Sequence, residues 1–313
     1  MNNAFEKISL KKKIKAGDIE NIYQTIANRI GEDVSSKLIP TGLQDIDRII
    51  GGYEKGNINL ICALQSMGKT ALTMSIVMNM MTQNESLKCN WFTIDENADS
   101  TVNKIIANTE VFTLRQLFLD IYNFNHEQIE QFNKLKHSLL HNLKNRMTVI
   151  EHESCTDNII NICKHNTPDI IVVDYGQQLD ISNPNIRSTA LELATFKLKK
   201  LASETNAIVI IILQLKQQSD TTNKAKIYKP QMADIKDSSA FAQLCDTCMA
   251  ISREQYFHSK RPDMKELNMV KVQNNIADIA VLKSKKTDTG NACVKFLPQF
   301  GKFINIDLDD ISE

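Results

Sequence analysis

Ala63-Leu64-Gln65-Ser66-Met67-Gly68-Lys69-Thr70 decides the fold of this chain because of what stands on either side of it. The apolar run Ile58-Asn59-Leu60-Ile61-Cys62 leads in, and Ala71 to Met81 follows with helix-forming residues. Strand, small-residue turn, Gly-Lys-Thr and helix are the order of a phosphate-binding loop. Such a turn aims backbone N–H groups at phosphate oxygens, and the helix N-terminus adds partial positive charge. In that reading Ala63, Ser66, Met67, Gly68, Lys69 and Thr70 hold a nucleotide. The Lys69 ammonium reaches the β- and γ-phosphates of ATP, and the Thr70 hydroxyl ligates Mg²⁺. The pattern departs once from G-x-x-x-x-G-K-[ST], with Ala63 at the first glycine. Alanine fits there provided that φ stays negative. The alternative is an ordinary turn that spells Gly-Lys-Thr, which the flanking strand and helix make much the weaker reading.

Working outward, short apolar runs alternate with helical periodicity. This predicts an α/β fold with a mostly parallel central sheet. Strands are expected at residues 57–63, at Asn90 to Ile94, at Met147 to Ile150 and at Ala207 to Leu213. Helices are expected at 70–83, near 157–165 and at 188–205. The run Pro168-Asp169-Ile170-Ile171-Val172-Val173-Asp174-Tyr175 reads as a central parallel strand ending in an acid. It has the form of the second nucleotide-binding motif, whose aspartate holds the metal through water, so Thr70 and Asp174 form the expected metal pair. Asn90 to Ile94 ends at Asp95-Glu96, on the strand edge where open α/β sheets bind ligands. One of these acids either holds the attacking water and takes its proton or caps the helix starting near Ala98. Gln214 ends another buried strand, where an amide either senses the γ-phosphate or makes a structural hydrogen bond. Ile276 to Lys283, Val294 to Leu297 and Phe303 to Ile306 are expected to close the chain as an antiparallel hairpin.

Composition bounds the rest. With 313 residues, 42% hydrophobic and 24% charged, the chain holds one large α/β domain and a small appendage. No apolar run approaches the roughly 20 residues of a membrane span, and the N-terminus lacks a signal-peptide core. Seven cysteines without framework spacing suit a reducing cytoplasm, and Cys245 and Cys248 read as buried strand residues rather than a zinc pair. Basic and acidic residues balance at 37 each, so attraction to nucleic acid has to come from local loops. Residues 1–37 read as the appendage. Asp18 caps a helix there with Ile19, Ile22, Tyr23, Ile26 and Ile30 on one face, which covers either its own domain or a neighbouring subunit. Residues 38–313 form the main domain. Residues 113–145 read as a helical excursion whose His126, His137 and His141 are solvated. The loop at 215–232, with Lys216, Lys224 and Lys226, and the loop reaching Arg187 together line a groove for a single-stranded phosphate backbone.

These motifs resemble, in order, the RecA-like motor domain of DnaB-type replicative helicases, the ring enzymes of bacteria and many phages. Ile39-Pro40-Thr41-Gly42-Leu43-Gln44-Asp45-Ile46-Asp47 is similar to the family's opening segment. Ser66 to Thr70 matches its phosphate loop, and Ile171 to Gln177 its metal-binding strand. Leu213-Gln214-Leu215 corresponds to its sensor, and Asp234-Ile235-Lys236-Asp237-Ser238-Ser239 to its DNA loop. Lys283-Ser284-Lys285 and Phe300-Gly301-Lys302-Phe303 match its closing strands, so the likeness runs from Leu38 to Asp307. The resemblance implies a homo-oligomer, a hexameric ring, with ATP hydrolysed between subunits on Lys69, Thr70 and Asp174. It also implies 5′-to-3′ movement on single-stranded DNA in the cytoplasm and no membrane contact. The water-activating glutamate falls on Asp95, next to Glu96. The trans-acting basic residues fall on Lys283 and Lys285, and DNA contacts on Lys236, Asp237 and Ser239. The family's N-terminal primase-binding domain has no counterpart in the motifs quoted. Lysine at 285 keeps charge and loses the planar fork of arginine. Two other functions share this pattern: a RecA-like recombination or helicase-loading ATPase, and a non-catalytic nucleotide-binding subunit of a helicase assembly.

Overall fold

A strand sandwiched between helical layers has no solvent-facing side, so its sequence loses polar alternation. Strand β3 (Ile58–Ala63) is buried at every position and lies near the middle of the sheet. The computed structural model describes residues 38–180, 187–216, 229–235, 239–253 and 275–307. The expected appendage at 1–37 lies outside the described residues.

Among the described residues, nine strands form one sheet in the order β11-β10-β9-β8-β3-β7-β6-β4-β5. On one side of β3 run β7 (Ile208–Gln214), β6 (Ile170–Asp174), β4 (Cys89–Thr93) and the edge strand β5 (Met147–Glu151), all parallel. On the other side lies β8 (Thr247–Ser252), parallel to β3. The strands β9 (Ile276–Ser284), β10 (Gly290–Leu297) and β11 (Lys302–Ile304) then follow antiparallel. The closing segment is therefore a three-stranded meander, and it continues the main sheet through β9. Val294 to Leu297 belongs to a longer strand than its apolar residues suggest, because β10 alternates between buried and exposed sides from Gly290 onward.

The helices are α1 (Gln44–Ile50), α2 (Lys69–Gln83), α3 (Ala98–Ala107), α4 (His126–Leu143), α5 (Thr156–Asn166), α6 (Arg187–Thr205) and α7 (Ser239–Leu244). The excursion at 113–145 is helical, as its spacing predicts. A π-helical turn (Gln116–Asp120) and a 3-10 turn (Ile121–Asn123) precede α4, which starts with an Asn125/Gln128 capping box. His126, His137 and His141 are exposed. The main domain opens on a short strand, β1 (Leu38–Ile39), paired antiparallel with β2 (Tyr53–Glu54). Asp47 fixes this opening by accepting from the Thr41 N–H and hydroxyl at 2.8 Å each and from the Gly42 N–H at 3.0 Å. Cys245 and Cys248 are buried and unbridged, and among the described residues no His/Cys/Asp/Glu group could hold a metal ion by itself. No described helix is long and apolar enough to cross a membrane.

Close packing behind β6 generates a test. A Cβ on Gly176 would lie 2.5 Å from Ile211 Cγ2 and 3.0 Å from Leu213 Cδ2. Gly176→Ala is expected to lower stability by about 1–3 kcal/mol through overpacking. In an Ile211→Ala background, where the clashing methyl is gone, the same change should cost clearly less in urea unfolding. Equal costs in both backgrounds would disprove the packing argument.

Candidate functional site

Ala63 ends β3 in extended backbone, so the first position of the loop needs no glycine. Positive φ falls instead on Ser66 at 65° and Gly68 at 97°. Leu64 and Met67 are buried and anchor the loop, while Gln65 and Ser66 face outward. Gly68 is required twice over: its φ is left-handed, and a Cβ would meet the Phe303 ring at 3.1 Å. Phe303 lies against Phe296 with centroids 4.7 Å apart. Arg253, just past β8, donates from Nη2 to the Ser66 carbonyl at 2.7 Å, and its guanidinium lies 4.3 Å over the Phe296 ring. Arg253, Phe296 and Phe303 thus brace the loop. Sequence reasoning missed Arg253, because only the strand order brings the end of β8 beside the end of β3.

The expected metal pair is brought together. Thr70 Oγ1 donates to Asp174 Oδ2 at 2.9 Å, and Lys69 Nζ lies 6.0 Å from the Tyr175 ring centroid. Magnesium binds oxygens at ~2.1 Å in an octahedron, which puts neighbouring ligands about 3 Å apart. Two hard oxygens at the observed spacing fit adjacent corners, directly or through one water. Burial pushes the Asp174 carboxyl up from 3.8 to about 6. The Thr70 hydrogen bond and the Lys104 and Lys69 charges pull it back, while Glu96 pushes it up. A cation at this carboxylate would offset the desolvation that burial imposes.

The two acids on the next strand end differ. Glu96 is ion-paired with Lys104 and accepts from the Ser100 hydroxyl at 3.0 Å. Asp95 is exposed, and its Oδ1 accepts from Gln178 Nε2 at 3.0 Å. That same Gln178 nitrogen donates to the Tyr175 hydroxyl at 2.7 Å. Neither acid caps α3. Asn97 does, accepting from the Ser100 N–H at 2.9 Å, and Glu151 takes the Ala98 N–H at 2.7 Å. Gln214 is held through its main chain. Its N–H donates to Gln177 Oε1 at 3.1 Å, and its carbonyl accepts from Gln177 Nε2 at 2.9 Å. The structural bonds thus leave the Gln214 side chain to the sheet edge. The buried Gln177 is a second residue that the sequence did not single out, since a glutamine after a strand carries no signal until its partner strand is known.

Lys283 and Lys285 do not join this edge. Lys283 is level with Cys248, one residue into β8, and Thr247 pairs with Asn59 near the start of β3. At ~3.3 Å per residue, they lie more than about 13 Å from the phosphate loop of their own chain. Lys283 Nζ donates to the Ala242 and Gln243 carbonyls at 2.7 and 2.9 Å. Lys285 Nζ donates to Asp246 Oδ1 at 2.9 Å. Of the expected DNA contacts, Lys216 is exposed beyond β7, and the Arg187 guanidinium donates to the Gln177 carbonyl at 3.2 Å. Lys224, Lys226, Lys236 and Asp237 lie outside the described residues, as does the side chain of Ser239.

With β7 inserted between the loop strand and β6, fold and site have the layout of an α/β protein of the P-loop class. Comparison with known proteins narrows the class. A family model described as "DnaB-like helicase C terminal domain" matches residues 39–305, and the chain belongs to that family. Relatives include the replicative DNA helicase DnaB of Rickettsia bellii (strain RML369-C), 25% identical over 86% of this chain and 58% of that protein. The replicative DNA helicase DnaB of Geobacillus stearothermophilus is 25% identical over 98% of this chain and 63% of its own length. The chain thus spans about three fifths of the length of these relatives. Among solved structures, the ATPase domain of G40P shares the fold, with a TM-score of 0.79 at 20% identity, covering 94% of this chain and all of that one.

The buried carboxylate predicts a trade of stability against function. Asp174→Asn keeps an acceptor for Thr70 and removes a disfavoured charge. It should stabilise the metal-free protein at about pH 8 by about 1–2 kcal/mol, discounted for partial exposure. Because the folded-state value is raised, wild type carries the full cost above about pH 6 and sheds it as pH falls toward 3.8. The advantage of the variant should shrink in that window, as read by urea unfolding in chelator.

Proposed function

We propose that this chain is the motor of a replicative DNA helicase, hydrolysing ATP between neighbouring copies and moving 5′-to-3′ along single-stranded DNA. The observation that carries the reading is the separation of the site into two halves at opposite ends of β3. The phosphate loop sits at one end and the lysines expected to reach a γ-phosphate sit at the other, so one chain cannot supply both. A head-to-tail assembly joins the halves, and closure of such contacts gives a ring, for which a hexamer is the family expectation. Residues 1–37 are then an appendage to a motor domain of residues 38–313, working in the cytoplasm.

In this mechanism the loop N–H groups and Lys69 hold the β- and γ-phosphates. Thr70 and Asp174 would hold Mg²⁺, which would supply charge neutralisation at the phosphate oxygens. Asp95, oriented by Gln178, accepts the proton of the attacking water, because Glu96 is already committed to Lys104 and Ser100. Gln214 faces the γ-phosphate. Lys285 of the neighbouring copy stabilises charge on the transferring group, as a point charge rather than a fork. Lys216, Arg187 and the lysine-bearing loops meet the DNA backbone.

Steady-state ATPase with and without single-stranded DNA tests the reading. Wild type should be stimulated by DNA. Lys69→Ala and Lys285→Ala should each lose turnover, and a mixture of the two should recover part of it because intact sites form at mixed junctions. Wild-type turnover in Lys285→Ala would sink the shared-site reading, and nucleotide binding without any turnover would leave a non-catalytic subunit.

The two acids separate in the same assay. Asp95→Asn should lower kcat by about 10²–10⁴ with little change in KM for ATP. Glu96→Gln should stay within about threefold of wild type and lose only the ~0–1 kcal/mol of a partly exposed ion pair. The reverse ranking would move the proton to Glu96.

A further inference from the structure

Asp246 lies between α7 and β8, at the end of the sheet opposite the phosphate loop, and it holds more cations than it needs. Its side chain is 11% exposed. Oδ2 accepts from the Ile58 N–H at 2.9 Å and from Lys199 of α6, while Oδ1 accepts from Lys285 at 2.9 Å. One negative charge therefore meets two ammonium groups. The two are not equivalent: the Lys285 side chain is 46% exposed and Lys199 27%. The Lys285 main-chain N–H also donates to the Asp246 carbonyl at 3.0 Å. Backbone and side chain of Lys285 thus both turn onto the same residue of their own chain.

We infer that Asp246 is a latch for the trans-acting lysine, a positioning residue that keeps Lys285 folded back until a neighbouring copy presents a γ-phosphate. This rests on the reading that Lys285 acts in trans. Lys199 is the part that makes release possible. A largely buried carboxylate stripped of its only cation is strongly disfavoured, so a lone Lys285 would be hard to withdraw. With Lys199 and the Ile58 N–H still in place, Asp246 stays compensated when Lys285 leaves. Lys285 is the one to go because it is the more exposed and stands at the end of β9. Both states obey charge balance: at rest two lysines share one carboxylate, and in the engaged state Lys285 faces phosphate while Lys199 keeps Asp246.

The test is ATPase turnover of the full chain at low ionic strength, with urea unfolding as a check on folding. Asp246→Asn keeps an acceptor for the Ile58 N–H and frees Lys285, and it should raise turnover about two- to fivefold, the range of a partly exposed ion pair. Lys199→Met leaves Lys285 as the sole cation and should lower turnover by a similar factor. That deficit should vanish near ~0.5 M salt, where the Debye length falls to roughly 4 Å. In a Lys285→Ala background the Asp246→Asn gain should disappear. A folded Asp246→Asn with turnover at or below wild type overturns the latch. Should that variant fail to fold, Lys199→Met decides alone, and unchanged turnover there overturns it too. Wild-type turnover in Lys285→Ala would instead remove the trans assignment, and the latch with it, whereas loss in Lys285→Ala with no gain in Asp246→Asn removes only the latch.

Discussion

One ladder of hydrogen bonds fixes where the chemistry of this protein can stand. Strands β3, β7 and β6 run parallel and in register, with Ala63 level with Gln214 and Asp174 level with Ile212. β3 is buried throughout, and β7 and β6 are buried until their last residue, which is the polar one, Gln214 or Asp174. Strands covered on both faces have no room for a charge along their length. Polar groups are driven to the strand ends, and the parallel direction gathers those ends on one edge. Thr70 meets Asp174 because the loop after β3 turns back over β7 to the strand beyond it. The site follows from burial and direction, with no further instruction.

This explains what was legible in the sequence. The apolar runs at 58–63, 170–174 and 208–213 mark buried parallel strands, and the Gly-Lys-Thr and Asp174 at their ends mark the candidate phosphate edge. Local patterns of this kind survive translation into structure because burial writes them residue by residue. Arg253, Gln177 and Gln178 were not legible. Each works by reaching across to a strand or loop far away in sequence, Ser66 for Arg253, Gln214 for Gln177 and Asp95 for Gln178. The choice between Asp95 and Glu96 was open for the same reason. Adjacent acids look alike until Lys104 and Ser100, a turn or two along α3, are seen to occupy one of them. The length of β10 was hidden because one side of the meander is exposed and its residues alternate.

The electrostatics of the two ends of β3 are complementary in kind. At the phosphate end burial raises the Asp174 carboxyl despite the nearby Lys104 and Lys69, a state that binding a cation would relieve. At the opposite end Asp246 has two lysines. Burial alone would raise it, but hydrogen bonds from Lys199, the Ile58 N–H and Lys285 hold it below the usual carboxylate value. In the proposed head-to-tail assembly the Lys285 end of one copy would meet the phosphate end of the next, and complementary charge there would favour that orientation of approach over its reverse.

Lysine rather than arginine at position 285 belongs to the same balance. A guanidinium grips a carboxylate with two parallel bonds, and that geometry would hold Asp246 as firmly as it would hold a phosphate. An ammonium makes a point contact that can turn from one oxygen to another without breaking a planar pair. The loss of grip on the transferring phosphate is real, since a fork stabilises that charge better. Yet a fork locked onto Asp246 would have to be unpicked at every turnover. The weaker cation suits the proposed exchange of Lys285 between Asp246 of its own chain and a phosphate held by its neighbour.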